Sequence, residues 1–265
     1  MHHCGLSDDR SVLAGSVTCG TPFRQAAPGS RSIQAIFRLP PTPGAASSRL
    51  SSAVTDTKVP RRVEIDAILF DLGGVLIDWN PRHLYRPLFK GDDAAMERFL
   101  AEIVPPHWNH QMDAGRPFAD AIAERSREFP QHAELISLWR GGWEQMLRDA
   151  IGESVEILGA LRERGLRLYA LTNWSAETFP VALERFAFLQ WFEDIVVSGH
   201  VKLAKPDPRI FELAIARCRL TPASTVFIDD SLPNVETARR LGLQGLHFRH
   251  ASGLRENLRE LGLLG

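Results

Sequence analysis

Hydrophobic and polar positions follow a repeating order along the chain from about residue 63 onward. Short apolar runs that end in polar or glycine residues are typical of buried parallel strands. Runs of this kind predict strands at 67–70, 166–171, 195–197, 225–228 and 245–248. Between them, helical spacing of apolar residues predicts helices at 154–164, 176–186, 208–218 and 234–241. This alternation predicts an α/β fold with a doubly wound parallel sheet.

A long stretch after the first predicted strand interrupts this alternation. Its pattern is helical only, with predicted helices at 92–103, 118–129 and 133–146. We interpret residues 80–146 as an inserted helical cap, which divides a core made of residues 63–79 and 147–265. Because the insertion follows the first strand directly, we expect it to stand over the carboxyl ends of the strands, where open α/β sheets bind ligands.

The first 62 residues have a different composition, rich in serine, alanine, glycine and proline. We expect a disordered N-terminal extension here, with at most a helical turn near 33–39, because so little apolar surface cannot offset the entropy of ordering. Between residues 11 and 55 there are four arginines and no acids, a bias shared with organelle transit peptides. We favour a dispensable or misassigned N-terminus and a cytoplasmic protein, with a transit peptide as the alternative.

Charge and length exclude several classes of protein. The 265 residues carry 31 basic and 32 acidic side chains, so the net charge of −1 gives no general attraction to nucleic acid or to anionic membranes. No apolar run approaches the roughly 18 residues that span a bilayer. The three cysteines are too scattered for a disulfide framework. We therefore expect a soluble monomer or homodimer with no nucleic-acid or membrane partner.

Four polar motifs stand at predicted strand ends or before a predicted helix. They are Asp71-Leu72-Gly73-Gly74, Thr172-Asn173-Trp174-Ser175, Lys205-Pro206-Asp207-Pro208 and Asp229-Asp230-Ser231. Taken singly, each has an ordinary explanation as a turn or a helix cap. Each motif nevertheless offers a different chemistry. The hydroxyl, amide and free backbone N–H groups of the second motif suit a phosphate. The rigid lysine of the third can neutralise a phosphoryl group, and the paired acids of the fourth suit Mg²⁺.

The order and spacing of these motifs closely resemble the haloacid dehalogenase-like superfamily. The resemblance runs from about residue 65 to the C-terminus, some three quarters of the chain. The helical insertion after the first motif resembles the C1 cap of subfamily I members. The Asp-Leu-Gly form of that motif is similar to sugar-phosphate phosphatases of the glucose-1-phosphate type. The resemblance implies a Rossmann-like core with a mobile helical cap.

The same resemblance implies a role for each motif. Asp71 would be the nucleophile that forms an aspartyl-phosphate, with Lys205 stabilising the transferring group. Thr172 and the backbone of Asn173 would bind phosphate oxygens. The implied Mg²⁺ ligands are Asp71, the Gly73 carbonyl, Asp229 and Asp230, with Asn234 bracing their loop. The implied activity is Mg²⁺-dependent hydrolysis of a small phosphorylated metabolite, a sugar phosphate in the first place.

One position departs from the pattern. Most phosphatases of this superfamily carry a second aspartate two residues after the nucleophile as general acid and base, and Gly73 stands there instead. Glycine at this position is shared with some 2-haloacid dehalogenases, although these typically replace the acid pair that is intact here as Asp229-Asp230. A 2-haloacid dehalogenase and a catalytically weak binding or regulatory protein therefore stay open as alternatives.

Substrate contacts are expected from the insertion and from the loop that leads into it, because both should overhang the strand ends. Polar and aromatic side chains cluster there, and a tryptophan can stack on the face of a sugar. The predicted substrate residues are Trp79, Asn80, Arg82, Trp108 and Asn109.

Overall fold

The structure is a computed structural model, and it describes residues 64–265. The extension expected over residues 1–62, with its helical turn near 33–39, lies outside the described residues.

Within residues 64–265, seven strands form two sheets. They are β1 (Ala67–Phe70), β2 (Ile77–Trp79), β3 (Leu147–Ala150), β4 (Arg167–Thr172), β5 (Asp194–Val197), β6 (Thr225–Asp229) and β7 (Gln244–His247). The larger sheet has the order β5-β4-β1-β6-β7, and all its neighbours pair in parallel. The predicted doubly wound parallel sheet is confirmed, and each of its five strands lies within one residue of the bounds predicted from the sequence.

In the part of the chain that the structure describes, twelve α-helices accompany these strands. They are α1 (Arg82–Leu88), α2 (Asp93–Arg98), α3 (Pro106–Asp113), α4 (Phe118–Glu128), α5 (Ala133–Gly141), α6 (Trp143–Met146), α7 (Gly152–Glu163), α8 (Phe179–Arg185), α9 (Ser198–Val201), α10 (Pro208–Arg217), α11 (Leu232–Arg240) and α12 (Ala251–Glu260). A π-helical segment, Phe99–Ile103, continues α2. The sequence pattern did not predict α1, α3, α9 or α12. None of the helices in residues 64–265 is long and apolar enough to cross a membrane.

Alternate residues of the central strand face two different helix layers. Ile68 and Phe70 belong to the hydrophobic cluster that contains Leu158 of α7. Leu69 belongs to a second cluster, which contains Phe211 of α10. All four residues of β1 are buried, so the strand lies in the middle of the core. It therefore holds the backbone of the next residue in a fixed position.

The insertion leaves and rejoins the core through a short antiparallel ribbon. Ile77 of β2 pairs with Ala150 of β3, and Trp79 pairs with Leu147. The regular elements between the two strands are all helical, from α1 to α6. The ribbon was not predicted, since β2 and β3 have only one buried residue each and form no apolar run. The boundaries 80–146 for a cap stay a prediction, and we use the name helical insertion for these residues below.

Candidate active site

Asp71 follows β1 at the carboxyl edge of the sheet. Its backbone N–H donates to the Ile228 carbonyl of β6 at 2.8 Å, which extends the strand pairing by one residue. Its carboxylate is 8 % exposed and accepts the Leu72 N–H at 2.7 Å. β1 lies between β4 and β6, and the strand order runs outward from β1 in both directions. Asp71 therefore lies at the point where the strand order reverses, which is where such sheets bind ligands.

Lys205 joins three strand ends although it comes from a loop. Its Nζ lies 3.0 Å from Asp71 Oδ1 and 2.7 Å from Asp229 Oδ2. It also donates to the Leu171 carbonyl at 2.7 Å, and the residue is 1 % exposed. A buried ammonium with three oxygen partners is compensated and fixed in position.

Asn173 holds the backbone of Lys205 by a reciprocal pair of hydrogen bonds. The Asn173 Nδ2 donates to the Lys205 carbonyl at 2.9 Å, and the Lys205 N–H donates to Asn173 Oδ1 at 2.8 Å. The sequence assigned the Asn173 backbone to phosphate binding but gave its side chain no task. The side chain links the loop after β4 to the lysine loop.

The acid pair at the end of β6 is asymmetric. Asp229 is fully buried and accepts the Ser231 N–H at 2.8 Å and Asn234 Nδ2 at 3.0 Å. Asp230 is more exposed and belongs to no ion pair among residues 64–265. Gly74, at φ +75°, makes room for it, because a Cβ there would collide with the Asp230 carboxylate. The Asn234 amide reaches both Asp229 oxygens, at 3.0 and 3.1 Å, and its role as a brace of this loop stays a prediction.

Three carboxylates converge at this edge. Asp71, Asp229 and Asp230 each offer an oxygen, and these oxygens lie within 4.8 Å of one another. Oxygen-only donors suit a hard cation such as Mg²⁺. Among residues 64–265, Lys205 is the one basic side chain that pairs with these acids, so the ionised group keeps an excess of negative charge. The donor set therefore fits a divalent cation, and Gly73 lines the same cavity.

The pKa shifts of the carboxylates and of Lys205 reflect this excess of negative charge. Burial raises the pKa of Asp71, the charge of Lys205 lowers it, and the charges of Asp229 and Asp230 raise it, so that the pKa lies at about 7. Burial, followed by the charge of Asp229, also raises the pKa of Asp230. Burial lowers the pKa of Lys205, but Asp229 and Asp71 outweigh burial and place this pKa above its ordinary value. Lys205 is therefore charged, and a cation near the carboxylates would favour their ionised forms.

Thr172 ends β4 with its hydroxyl buried and without a hydrogen-bond partner in the described part of the chain. An unsatisfied buried hydroxyl costs about 1–3 kcal/mol. A phosphate oxygen at this strand end would satisfy the hydroxyl, which agrees with the role expected for Thr172.

Two adjoining cavities open above Asp71. The smaller, about 370 Å³, is lined by four of the five predicted substrate residues, Trp79, Asn80, Arg82 and Asn109. Trp108 lines neither cavity: it is 4 % exposed and packs edge-on against Trp139. The larger cavity, about 810 Å³, shares Asp71 and adds apolar side chains of the insertion.

The smaller cavity is also lined by Trp143 and Trp174, which were not among the predicted substrate residues, and by Asp113. Trp174 follows Asn173 directly in the sequence, and this position could have indicated that it lies close to the site. Asp113 ends α3, a helix that the sequence pattern did not reveal.

The family model for haloacid dehalogenase-like hydrolases matches residues 65–242. The chain belongs to this family. The match contains all four motifs, which confirms the resemblance seen in the sequence and makes the protein a hydrolase.

Relatives of this hydrolase include named phosphatases. It is 27 % identical over 197 residues to the sesquiterpene phosphatase astK of Aspergillus oryzae, an alignment that covers 74 % of this chain and 95 % of that protein. It is 26 % identical over 181 residues to the pyrophosphatase PpaX of Bacillus velezensis, covering 67 % of this chain and 80 % of that one.

A solved structure is also similar to this hydrolase. It is a family enzyme from Bacteroides thetaiotaomicron in complex with magnesium and inorganic phosphate. The TM-score is 0.53 and the identity 25 %, over 70 % of this chain and 94 % of that one.

Proposed function

We propose that this hydrolase is a Mg²⁺-dependent phosphatase that cleaves small phosphorylated metabolites through an aspartyl-phosphate on Asp71. The observation that carries the proposal is the position of the Asp71 carboxylate, 3.0 Å from the Lys205 ammonium and grouped with Asp229 and Asp230. A buried nucleophile, a fixed cation and a dication site are what in-line phosphoryl transfer requires. The phosphatase names among the relatives support the same reaction class.

In the proposed first step, an Asp71 oxygen forms a bond to phosphorus while the bond from phosphorus to the leaving oxygen breaks. Lys205 holds the Asp71 carboxylate in place and offsets charge on the phosphoryl oxygens. Thr172 and the Asn173 N–H bind the oxygens that are not transferred. In the second step, water attacks phosphorus and releases Asp71 with inorganic phosphate.

The proposed metal ligands are Asp71, the Gly73 carbonyl, Asp229 and Asp230. When bound, Mg²⁺ neutralises charge that builds up around the phosphoryl group. Two hydrogen bonds to Asp229, from the Ser231 N–H and from Asn234, fix the direction in which its carboxylate points.

The residues that line the two cavities indicate which class of substrate would bind. We propose a sugar phosphate, because the lining of the smaller cavity combines the aromatic side chains of Trp79 and Trp174 with the polar side chains of Asn80 and Asn109. A second candidate is a phosphate ester with an apolar chain, favoured by the apolar lining of the larger cavity and by the name of the sesquiterpene phosphatase. That apolar lining includes Leu100, Ala101 and Val104.

A substrate panel tests the proposal and separates the two candidates. We expect Mg²⁺-dependent release of inorganic phosphate from p-nitrophenyl phosphate, with a higher kcat/KM for glucose 1-phosphate than for farnesyl phosphate. The reverse order would favour the apolar substrate. EDTA-resistant chloride release from 2-chloropropionate, with no phosphate release from any ester, would support the dehalogenase alternative instead.

Replacing the acid pair tests the metal site. The double variant Asp229→Asn/Asp230→Asn should lose phosphatase activity, and excess Mg²⁺ should restore little of it, because the coordinating charge is gone. Isothermal titration calorimetry should also show weaker Mg²⁺ binding for the single variant Asp230→Asn. Asp230 is the more exposed of the two acids. The exposed Asp149 offers a matched control, and Asp149→Asn should bind Mg²⁺ like the wild type. Equal Mg²⁺ affinity in all these proteins would contradict the assigned ligands.

A further inference from the structure

Position 73 leaves the proposed reaction without a proton donor beside the nucleophile. Gly73 lines the smaller cavity, and a Cβ at this position would meet nothing within 4 Å. The oxygen of an alcohol leaves readily only if it gains a proton as its bond to phosphorus breaks. Another side chain in the cavity has to supply that proton.

Asp113 is placed to supply it. It ends α3 in the helical insertion, and it lines both cavities that Asp71 lines. The acidic residues of the smaller cavity are Asp71, Asp113 and Asp230. Asp71 and Asp230 belong to the carboxylate cluster at the sheet edge. Asp113 is therefore the remaining acid in the lining of this cavity that is available for proton transfer.

The carboxyl and the backbone of Asp113 are both fixed. Asn109 Nδ2 donates to Asp113 Oδ2 at 2.9 Å, and Asn109 is itself oriented by Trp139 Nε1, which donates to its Oδ1 at 3.0 Å. The Ser198 hydroxyl donates to the Asp113 carbonyl at 2.5 Å and accepts the Trp174 N–H at 2.8 Å. The end of α3 is thus tied to the residue after Asn173, beside the expected phosphate position.

The surroundings also suit proton exchange near neutral pH. Burial raises the pKa of Asp113 to about 7, although the Ser175 N–H lowers it in part. An acid–base group works best when its pKa lies near the working pH.

Titratable and charged side chains lie on the elements around Asp113. The same cavities are lined by Arg82, Glu97, His107, His110, Lys205 and Asp230. The packed neighbours α4 and α9 carry Asp120, Glu124, Arg125, Arg127, Glu128 and His200, with Lys202 just beyond α9. Arg82 is paired with Glu97, and Lys205 with Asp71 and Asp229, so neither basic side chain is paired with Asp113.

We propose that Asp113 is the general acid and then the general base of this hydrolase, an inference that rests on the proposed phosphatase function. In the first step, the Asp113 carboxyl gives its proton to the leaving oxygen as the P–O bond breaks and Asp71 bonds to phosphorus. The products are an alcohol, the aspartyl-phosphate and the Asp113 carboxylate. In the second step, that carboxylate takes a proton from the water that attacks phosphorus, which regenerates both acids in their starting forms and releases hydrogen phosphate.

Two aryl esters with different leaving groups test this role. Nitrophenolate leaves as an anion, whereas the more basic oxygen of phenyl phosphate needs a proton. Asp113→Asn should therefore lower kcat/KM for phenyl phosphate by about 10²–10⁴-fold and lower that for p-nitrophenyl phosphate far less. Asparagine keeps the shape of the side chain and an oxygen acceptor for Asn109. The control Asp120→Asn, at an exposed acid of the same insertion, should leave both esters unaffected.

The wild-type protein gives an independent measurement. Its kcat/KM for phenyl phosphate should fall relative to that for p-nitrophenyl phosphate as pH rises through about 7, because Asp113 loses its proton. Asp113→Glu should restore part of the phenyl phosphate activity. An equal loss for both esters, no loss for either, or a pH-independent ratio would overturn the assignment to Asp113 and leave the phosphatase function standing. A wild-type protein that hydrolyses neither ester would overturn the function as well.

Discussion

Replacing Asp71 by asparagine should lower kcat for phosphate ester hydrolysis by roughly 10⁴-fold or more. An amide oxygen is a far weaker nucleophile than a carboxylate and cannot form the aspartyl-phosphate. Asparagine can still accept the Leu72 N–H, so the loop after β1 should keep its conformation. Steady-state kinetics with p-nitrophenyl phosphate and Mg²⁺ measure the loss.

Two further measurements make this result specific. Circular dichroism and the thermal midpoint should show that Asp71→Asn is folded. Acid quenching of wild-type protein during turnover of ³²P-labelled substrate should trap label on the chain, and the variant should trap none. A kcat within tenfold of the wild-type value would contradict the assignment of Asp71 as nucleophile.

Replacing Lys205 by methionine should both abolish activity and destabilise the fold by about 3–5 kcal/mol, because buried carboxylates lose their partner. Asp229 is fully buried and lies 2.7 Å from the ammonium, so its charge would remain without a cation. Urea denaturation at neutral pH, without added divalent metal, measures the change in the free energy of unfolding.

Lys202 provides the matched control for this experiment. It is exposed, three residues away, and belongs to none of the ion pairs of residues 64–265. Lys202→Met should change the free energy of unfolding by no more than about 0.5 kcal/mol. If Lys205→Met unfolds at the same urea concentration as Lys202→Met, the ammonium does not compensate the buried acids.

The sheet and the motif positions could be predicted because they depend on local patterns and on topology. The run Ala67–Phe70 is apolar throughout, and the parallel sheet it implies brings the ends of β1, β4 and β6 to one edge. Asp71, Thr172 and Asp229 stand at the ends of these strands, and the family resemblance implied that their motifs serve one site. Lys205 needed the family resemblance, since a lysine beside prolines is usually solvated.

The parts that escaped prediction depend on packing between distant segments. Asp113 lies at the site because α3 packs close to α9 and to the loop after β4, and no residue near it in sequence reveals this. Trp108 looked like a substrate residue because it has polar neighbours, yet its ring faces Trp139 in the core. The reciprocal bonds between Asn173 and Lys205 span 32 residues and leave no periodic trace.

The central place of β1 also has a consequence for biosynthesis. Ala67 pairs with Arg167 on one side and with Thr225 on the other, so its partners follow about 100 and about 160 residues later. At roughly 5–20 residues per second, a ribosome needs several seconds or more to deliver even the first partner. The helices of the insertion make mostly local contacts and can form meanwhile. The nascent chain thus carries a bare apolar strand during translation, a segment that a chaperone would bind.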